Sequence, residues 1–135
     1  MNLKYEVEFK SDIDTGQKII NELLQKFEGY LNSDDIFDLR LILNELISNS
    51  IIHGNGLDSG KHVHLKLTMK DDVLDLVVTD EGKGIKVKKQ KIPNRKSISG
   101  RGLLLVKGLT DTFDIMDSSV RVTRRFFRNS HYTTS

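Results

Sequence analysis

Two runs of strictly alternating apolar residues stand back to back in the middle of the chain: Val63, Leu65, Leu67 and Met69, then Leu74, Leu76 and Val78. A period of two puts every apolar side chain of a strand on one face. Lys70-Asp71-Asp72 between the runs reads as a hairpin connection. A hairpin with one apolar face needs a second layer to cover it, so the rest of the chain has to supply strands to widen the sheet and helices to close it. Leu3, Tyr5, Val7 and Phe9 alternate in the same way and predict a strand at the start.

Ser11 and Asp12 then offer caps for a helix expected to bury Ile13, Ile20, Leu24, Phe27 and Leu31, with Gly29 near its end. Ser33, followed by Asp34 and Asp35, is expected to cap a second helix, with the acidic residues against its dipole. That helix runs through LRLILNELISNSIIHG and stops near Gly54. The stretch from Lys86 to Ser99 has little periodicity, much Lys and Arg, and the only proline, Pro93, which predicts a mobile loop. A short apolar helix, Leu103 to Leu109, follows Gly100-Arg101-Gly102, and strands are expected at Thr112 to Met116 and Val120 to Phe127. The order β-α-α-β-β-loop-α-β-β predicts an α+β fold, a two-layer sandwich with helices on one face of a mixed, mostly antiparallel sheet. At 135 residues, positions 1–135 fit a single domain.

Composition removes several chemistries. With no cysteine, disulfides, thiolate metal sites and a cysteine nucleophile are excluded. A net charge of +2 is too small to imply nucleic acid by itself. No apolar stretch reaches the length of a membrane span, and the N-terminus lacks the apolar core of a signal peptide, so a cytoplasmic protein is expected.

Three local patterns carry chemistry. Glu45, Asn49 and His53 lie four apart on the second helix, so they project from nearly one stripe, which cuts into an apolar segment. Glu and Asn there cost desolvation unless something polar faces them; a polar helix edge is the plainer account. Asp80-Glu81-Gly82-Lys83-Gly84 follows a strand directly. An ionised Asp only accepts, so Asp80 can take a hydrogen bond from the exocyclic amine of adenine and would repel the guanine carbonyl. Gly82 and Gly84 would let backbone approach a base or phosphate, although an ordinary glycine turn also fits. Ser99-Gly100-Arg101-Gly102 opens the third helix, where free N–H groups suit a phosphate; capping alone would explain it as well.

In combination, order and context, these patterns resemble the histidine-kinase-like ATPase fold. The absence of G-x-x-x-x-G-K-[ST] separates the chain from the P-loop proteins. Glu45 four before Asn49, and the ending Ile51-Ile52-His53-Gly54, look like the anti-sigma factor serine kinases. The resemblance implies ATP and Mg²⁺ as cofactors, with Asn49 on the metal and Glu45 as general base. It further implies Asp80, Gly82 and Gly84 at the adenine, His53 in the nucleotide site, and Ser99, Gly100, Arg101 and Gly102 at the phosphates. Residues 85–99 would form a lid over the nucleotide. The implied partners are a STAS-type anti-anti-sigma protein, phosphorylated on serine, and a sigma factor held by a kinase homodimer. The sequence departs from the family in having Ile98 before the glycine turn and Ser118-Ser119 where Gly-Thr is common. Two other readings stand beside this one: a non-catalytic, nucleotide-dependent protein-binding regulator, and a detached ATP-binding domain of a sensor histidine kinase.

His62 and His64 alternate on a strand and read as a solvated face rather than a metal pair. The basic residues Lys86, Lys88, Lys89, Lys91, Arg95 and Lys96, like Arg121, Arg124, Arg125 and Arg128, pose the question of nucleic acid. With no aromatic ladder beside them, direct binding is not expected.

Overall fold

The computed structural model describes residues 1–82 and 100–127. The elements are β1 (Leu3–Lys10), α1 (Ile13–Gln25), α2 (Ser33–Asn49), β2 (His62–Lys70), β3 (Val73–Thr79), α3 (Gly100–Gly108), β4 (Thr112–Met116) and β5 (Ser119–Arg125). A single wider π-type turn, Ser50–Gly54, continues α2. The strands form one sheet in the order β1-β2-β3-β5-β4, and each neighbouring pair is antiparallel. The expected α+β sandwich is what the chain builds. Val63, Leu65, Leu67 and Met69 on β2 and Leu74, Leu76 and Val78 on β3 are buried against Ile20, Leu23, Leu39, Leu43, Leu46 and Val106 of the helices. The opposite face of the sheet carries the charged residues of the alternation.

The hairpin at Asp71-Asp72 joins Lys70 and Val73 as direct partners. Both aspartates take positive φ, 51° and 64°, which matches a two-residue turn whose twist follows the strands. Asp71 and Asp72 serve there because a short polar side chain tolerates the left-handed region.

Several boundaries differ from the sequence reading, each for a local reason. Asp12 caps α1, its carboxylate accepting the Thr15 N–H at 3.0 Å. The buried stripe of α1 begins at Gly16, not Ile13, which is 41% exposed. A β-carbon at Gly16 would lie 3.1 Å from Ile47 Cγ2 and 3.4 Å from Ile51 Cδ1, so the missing side chain lets α1 close on α2. Ile13 stands one turn before that contact. Asn32, not Ser33, caps α2, its side-chain oxygen accepting the Asp35 N–H at 2.8 Å. Gly29 lies beyond the end of α1, in a turn where it takes φ +86°. The last strand runs from Ser119 to Arg125, and the third helix starts at Gly100.

Arg124 fastens the sheet to the start of α2. Its guanidinium lies 3.2 Å from Asp35 Oδ1 and 3.0 Å from Asp38 Oδ2, donates to the Leu109 carbonyl at 3.2 Å, and covers the Phe126 ring at 4.8 Å. Burial pushes the Asp35 carboxyl up, and the Arg124 charge pulls it back. Arg121, on the outer face, is held by both carboxylate oxygens of Asp75 at 2.9 and 2.6 Å. Both arginines are therefore committed within the chain.

Candidate active site

The antiparallel order places three segments at one end of the sandwich: the C-terminal part of α2 with its π turn, the turn after β3, and the start of α3. Glu45 and Asn49 lie on the regular part of α2, one turn apart, and both are half-buried. The helix then widens: Asn55 N–H bonds to the Ser50 carbonyl at 2.7 Å, five residues back. His53 lies in this widened turn, beyond the regular part of the helix that carries Glu45 and Asn49. The His53 ring reaches solvent, and partial burial lowers its pKa.

Asp80 sits where β3 ends. Its N–H bonds to the Ser118 carbonyl at 3.0 Å, and its Oδ1 accepts the Gly82 N–H at 2.8 Å. Burial pushes the Asp80 carboxyl above the usual carboxylate range, opposed by the Gly82 hydrogen bond and the Lys61 charge. Gly54, at the end of the π turn, faces this carboxylate: a β-carbon on Gly54 would collide with Asp80 Oδ2 and lie 2.8 Å from Oδ1. A β-carbon on Gly82 would strike the Gly54 carbonyl oxygen and lie 2.8 Å from its carbon. Both glycines are thus required by close approach. The sequence reading used Gly54 as the end of a helix and as part of the Ile51-Ile52-His53-Gly54 ending, without placing it against Asp80.

The third segment closes on Glu45. At Gly102 a β-carbon would collide with Glu45 Oε1 and lie 2.7 Å from its carboxyl carbon. Gly100, Arg101 and Gly102 form the first turn of α3. The structure therefore brings together Glu45 with Gly102, and Gly54 with Asp80 and Gly82. Gly84, Ser99 and the expected lid at 85–99 lie outside the described residues.

Sequence reasoning missed Asn55. It is 2% exposed, donates to Ser11 Oγ and the His62 carbonyl at 3.0 Å each, and accepts the Glu81 N–H at 2.7 Å. The Glu81 carboxylate turns away from Asp80 to accept the His62 N–H at 2.6 Å. His62 Nδ1 lies 3.4 Å from that carboxylate, while His64 Nε2 pairs with Glu6 at 2.7 Å. Each histidine thus has its own carboxylate on the open face of the sheet. Among the described residues no group of three or more His, Cys, Asp or Glu could hold a metal ion. No helix among them is long and apolar enough to cross a membrane.

A helix carrying Glu45 and Asn49, a β3 turn built on Asp80 and Gly82, and a glycine-opened α3 packed on Glu45 define a class. The chain belongs to the histidine kinase-like ATPase domain family, whose profile matches residues 11–125. Among individual proteins, it is similar to anti-sigma F factors. It is 25% identical to that of Oceanobacillus iheyensis over 91 residues, 63% of this chain and 62% of that protein. It is 35% identical to that of Shouchella clausii over 52 residues, 38% of this chain and 36% of that protein. With that of Priestia megaterium it shares 26% over 109 residues, 76% of this chain and 74% of that protein. The chain thus spans less than two thirds of the first two relatives and about three quarters of the third.

Proposed function

We propose that this chain binds ATP with Mg²⁺ and phosphorylates a serine of a STAS-type anti-anti-sigma protein, and that it holds a sigma factor inactive as a homodimer in the cytoplasm. The observation that carries the reading is the convergence of Glu45, Asp80, Gly54, Gly82 and Gly102 at one end of the sandwich. Similarity to anti-sigma F factors supplies the partners. The long edge strand β1 offers a surface for a second copy.

Asp80 would read the adenine. Its Oδ1 is occupied by the Gly82 N–H, which leaves Oδ2 to accept from the exocyclic amine. Glu45 would orient the attacking hydroxyl and take its proton, in a reaction that depends on positioning and charge neutralisation. The glycine-opened start of α3 would direct N–H groups at the phosphates. The donor set suits Mg²⁺, which keeps several waters and needs few protein ligands: the Asn49 amide oxygen would hold it, one turn from Glu45. When bound, the ion would supply charge neutralisation at the phosphates. The absence of any side chain at Gly54, Gly82 and Gly102 is what lets these segments approach Asp80 and Glu45 so closely. Ile98 and Ser118-Ser119, where the family differs, favour the non-catalytic regulator as the second reading.

Calorimetric titration with ATP, ADP and GTP in the presence of Mg²⁺ tests the proposal. Adenine-selective binding is expected, weakened about tenfold or more in Asn49→Ala. No adenine-nucleotide binding would overturn it and leave the protein-binding regulator. Phosphate transfer to a serine-bearing partner separates kinase from regulator.

The pH dependence carries a sign. Asp80 must be ionised to accept from adenine, and its pKa is raised by burial. ATP affinity is therefore expected to fall on acidification at a higher pH than an ordinary carboxylate would give. Stability runs the opposite way. A carboxyl whose pKa is higher folded than unfolded weighs against folding at neutral pH, and that cost disappears as pH falls through the raised pKa. Asp80→Asn is expected to raise the melting temperature at neutral pH while reducing discrimination between ATP and GTP. Asparagine puts an NH2 donor at one of the two carboxylate positions, so either the Gly82 N–H or the amine of the base then faces a donor. A variant that loses stability and keeps its discrimination would contradict this.

A further inference from the structure

Asp80 is held from several directions, and among the described residues its turn is hydrogen-bonded by one distant side chain, Asn55. Its own N–H is tied to the Ser118 carbonyl at 3.0 Å, and its Oδ1 to the Gly82 N–H at 2.8 Å. Between those anchors lies the peptide of Glu81, whose N–H donates to Asn55 Oδ1 at 2.7 Å. Asn55 is buried to 2% exposure, and its amide is used on both ends: Nδ2 donates to Ser11 Oγ and to the His62 carbonyl, each at 3.0 Å. The backbone of Asn55 is fixed as well, by the bond from its N–H to the Ser50 carbonyl at 2.7 Å that closes the π turn. A buried amide with every bond made is rigid, because breaking any one of them leaves a desolvated polar group.

We infer that Asn55 is the positioning residue for base recognition: its side-chain oxygen fixes the Glu81 peptide, and so sets where the Asp80 carboxylate points. The inference rests on the proposed reading of Asp80 as the adenine acceptor. The geometry gives the link its direction. The Glu81 N–H and the Gly82 N–H belong to successive residues of one turn, so releasing the first frees the turn that presents the second to Asp80 Oδ1. Gly54, which faces Asp80 Oδ2, directly precedes Asn55 in the chain. One residue therefore governs both walls of the Asp80 carboxylate. Among the described residues, the charged side chain that acts on Asp80 is Lys61.

The test compares Asn55→Ala with Ser11→Ala, which removes another partner of the same amide and leaves the Glu81 bond in place. Two readouts are taken on folded protein: the pH titration of the Asp80 carboxyl carbon by NMR without nucleotide, and the ratio of ATP to GTP affinity. In Asn55→Ala the Gly82 N–H no longer favours the ionised carboxylate, so Asp80 is expected to titrate at a higher pH than in wild type. The ATP:GTP ratio is expected to fall about tenfold. Ser11→Ala is expected to lose stability and to keep both values. If the alanine variant does not fold, Asn55→Ser takes its place, since serine keeps a polar group in the pocket and is too short to reach the Glu81 N–H. An unchanged Asp80 titration, or an equal loss of affinity for ATP and GTP, overturns the inference and leaves Asn55 a folding residue. A wild type that binds no adenine nucleotide overturns the nucleotide reading instead, and the Asp80 titration still decides the role of Asn55.

Discussion

Glu45→Gln is expected to lower phosphoryl transfer by roughly 10²–10⁴-fold, the usual worth of a positioned general base, with ATP affinity changed by less than about threefold. Glutamine keeps the shape of the side chain that packs against Gly102, so the start of α3 stays where it is. What it loses is the ability to take a proton. The split between rate and affinity is the informative part, because a residue that acts only in the transition state lowers turnover without weakening the ground-state complex. Single-turnover transfer to a STAS-type substrate, beside calorimetry with ATP, measures both. Equal losses in both would make Glu45 part of the binding wall, and an unchanged rate would place the base elsewhere.

Gly82→Ala is expected to weaken ATP binding by about a hundredfold and to lower stability by about 1–3 kcal/mol, the range for an overpacked contact. The new methyl group would collide first with backbone, the Gly54 carbonyl, which yields less than a side chain, and would also lie 3.0 Å from Asp80 Oδ1. Either the π turn or the Asp80 turn must shift, and each shift moves one wall of the Asp80 carboxylate. Gly108→Ala is the control, since nothing lies within 4 Å of a β-carbon there. Its ATP affinity should match wild type in the same titration. Full ATP binding by Gly82→Ala would mean that the two turns do not frame the base.

The sheet was legible because its signal is local. Alternation in β1, β2 and β3 puts the set from Leu3 to Phe9, the set from Val63 to Met69, and Leu74, Leu76 and Val78 on the helix face, with Val73 and Val77 on the other. Glu45, Asn49, Asp80 and Gly82 were singled out as candidates on other grounds: two polar residues in an apolar helical segment, and an acidic glycine turn directly after a strand. What escaped notice depends on contacts across the chain. The partners of Asn55 are 44, 26 and 7 positions away at Ser11, Glu81 and His62, so His-Gly-Asn-Gly reads only as a loop. Gly16 looks like a weak point in a helix until Ile47 and Ile51 are placed beside it. The π turn at Ser50–Gly54 has no sequence marker, so the segment reads as a plain continuation of the second helix. Asn32 lost the cap to Ser33 in the sequence reading because either residue type can serve, and only the Asp35 bond distinguishes them.

The strand order also bears on how the chain comes together. The turns at Asp71-Asp72 and Asp117-Ser118 join β2 to β3 and β4 to β5 locally, so these two ribbons can form early and fast. The remaining seams close large loops: Leu3 pairs with Met69, and Thr79 with Ser119. Asp80 lies just past the second of these seams, at the bond from its N–H to Ser118. The Asp80 turn therefore depends on a pairing between residues far apart in the chain. A nucleotide that binds only the joined state pulls the whole assembly toward completion, by an amount that grows with the logarithm of its concentration. In this chain, ligand supply and structural maturation are one equilibrium.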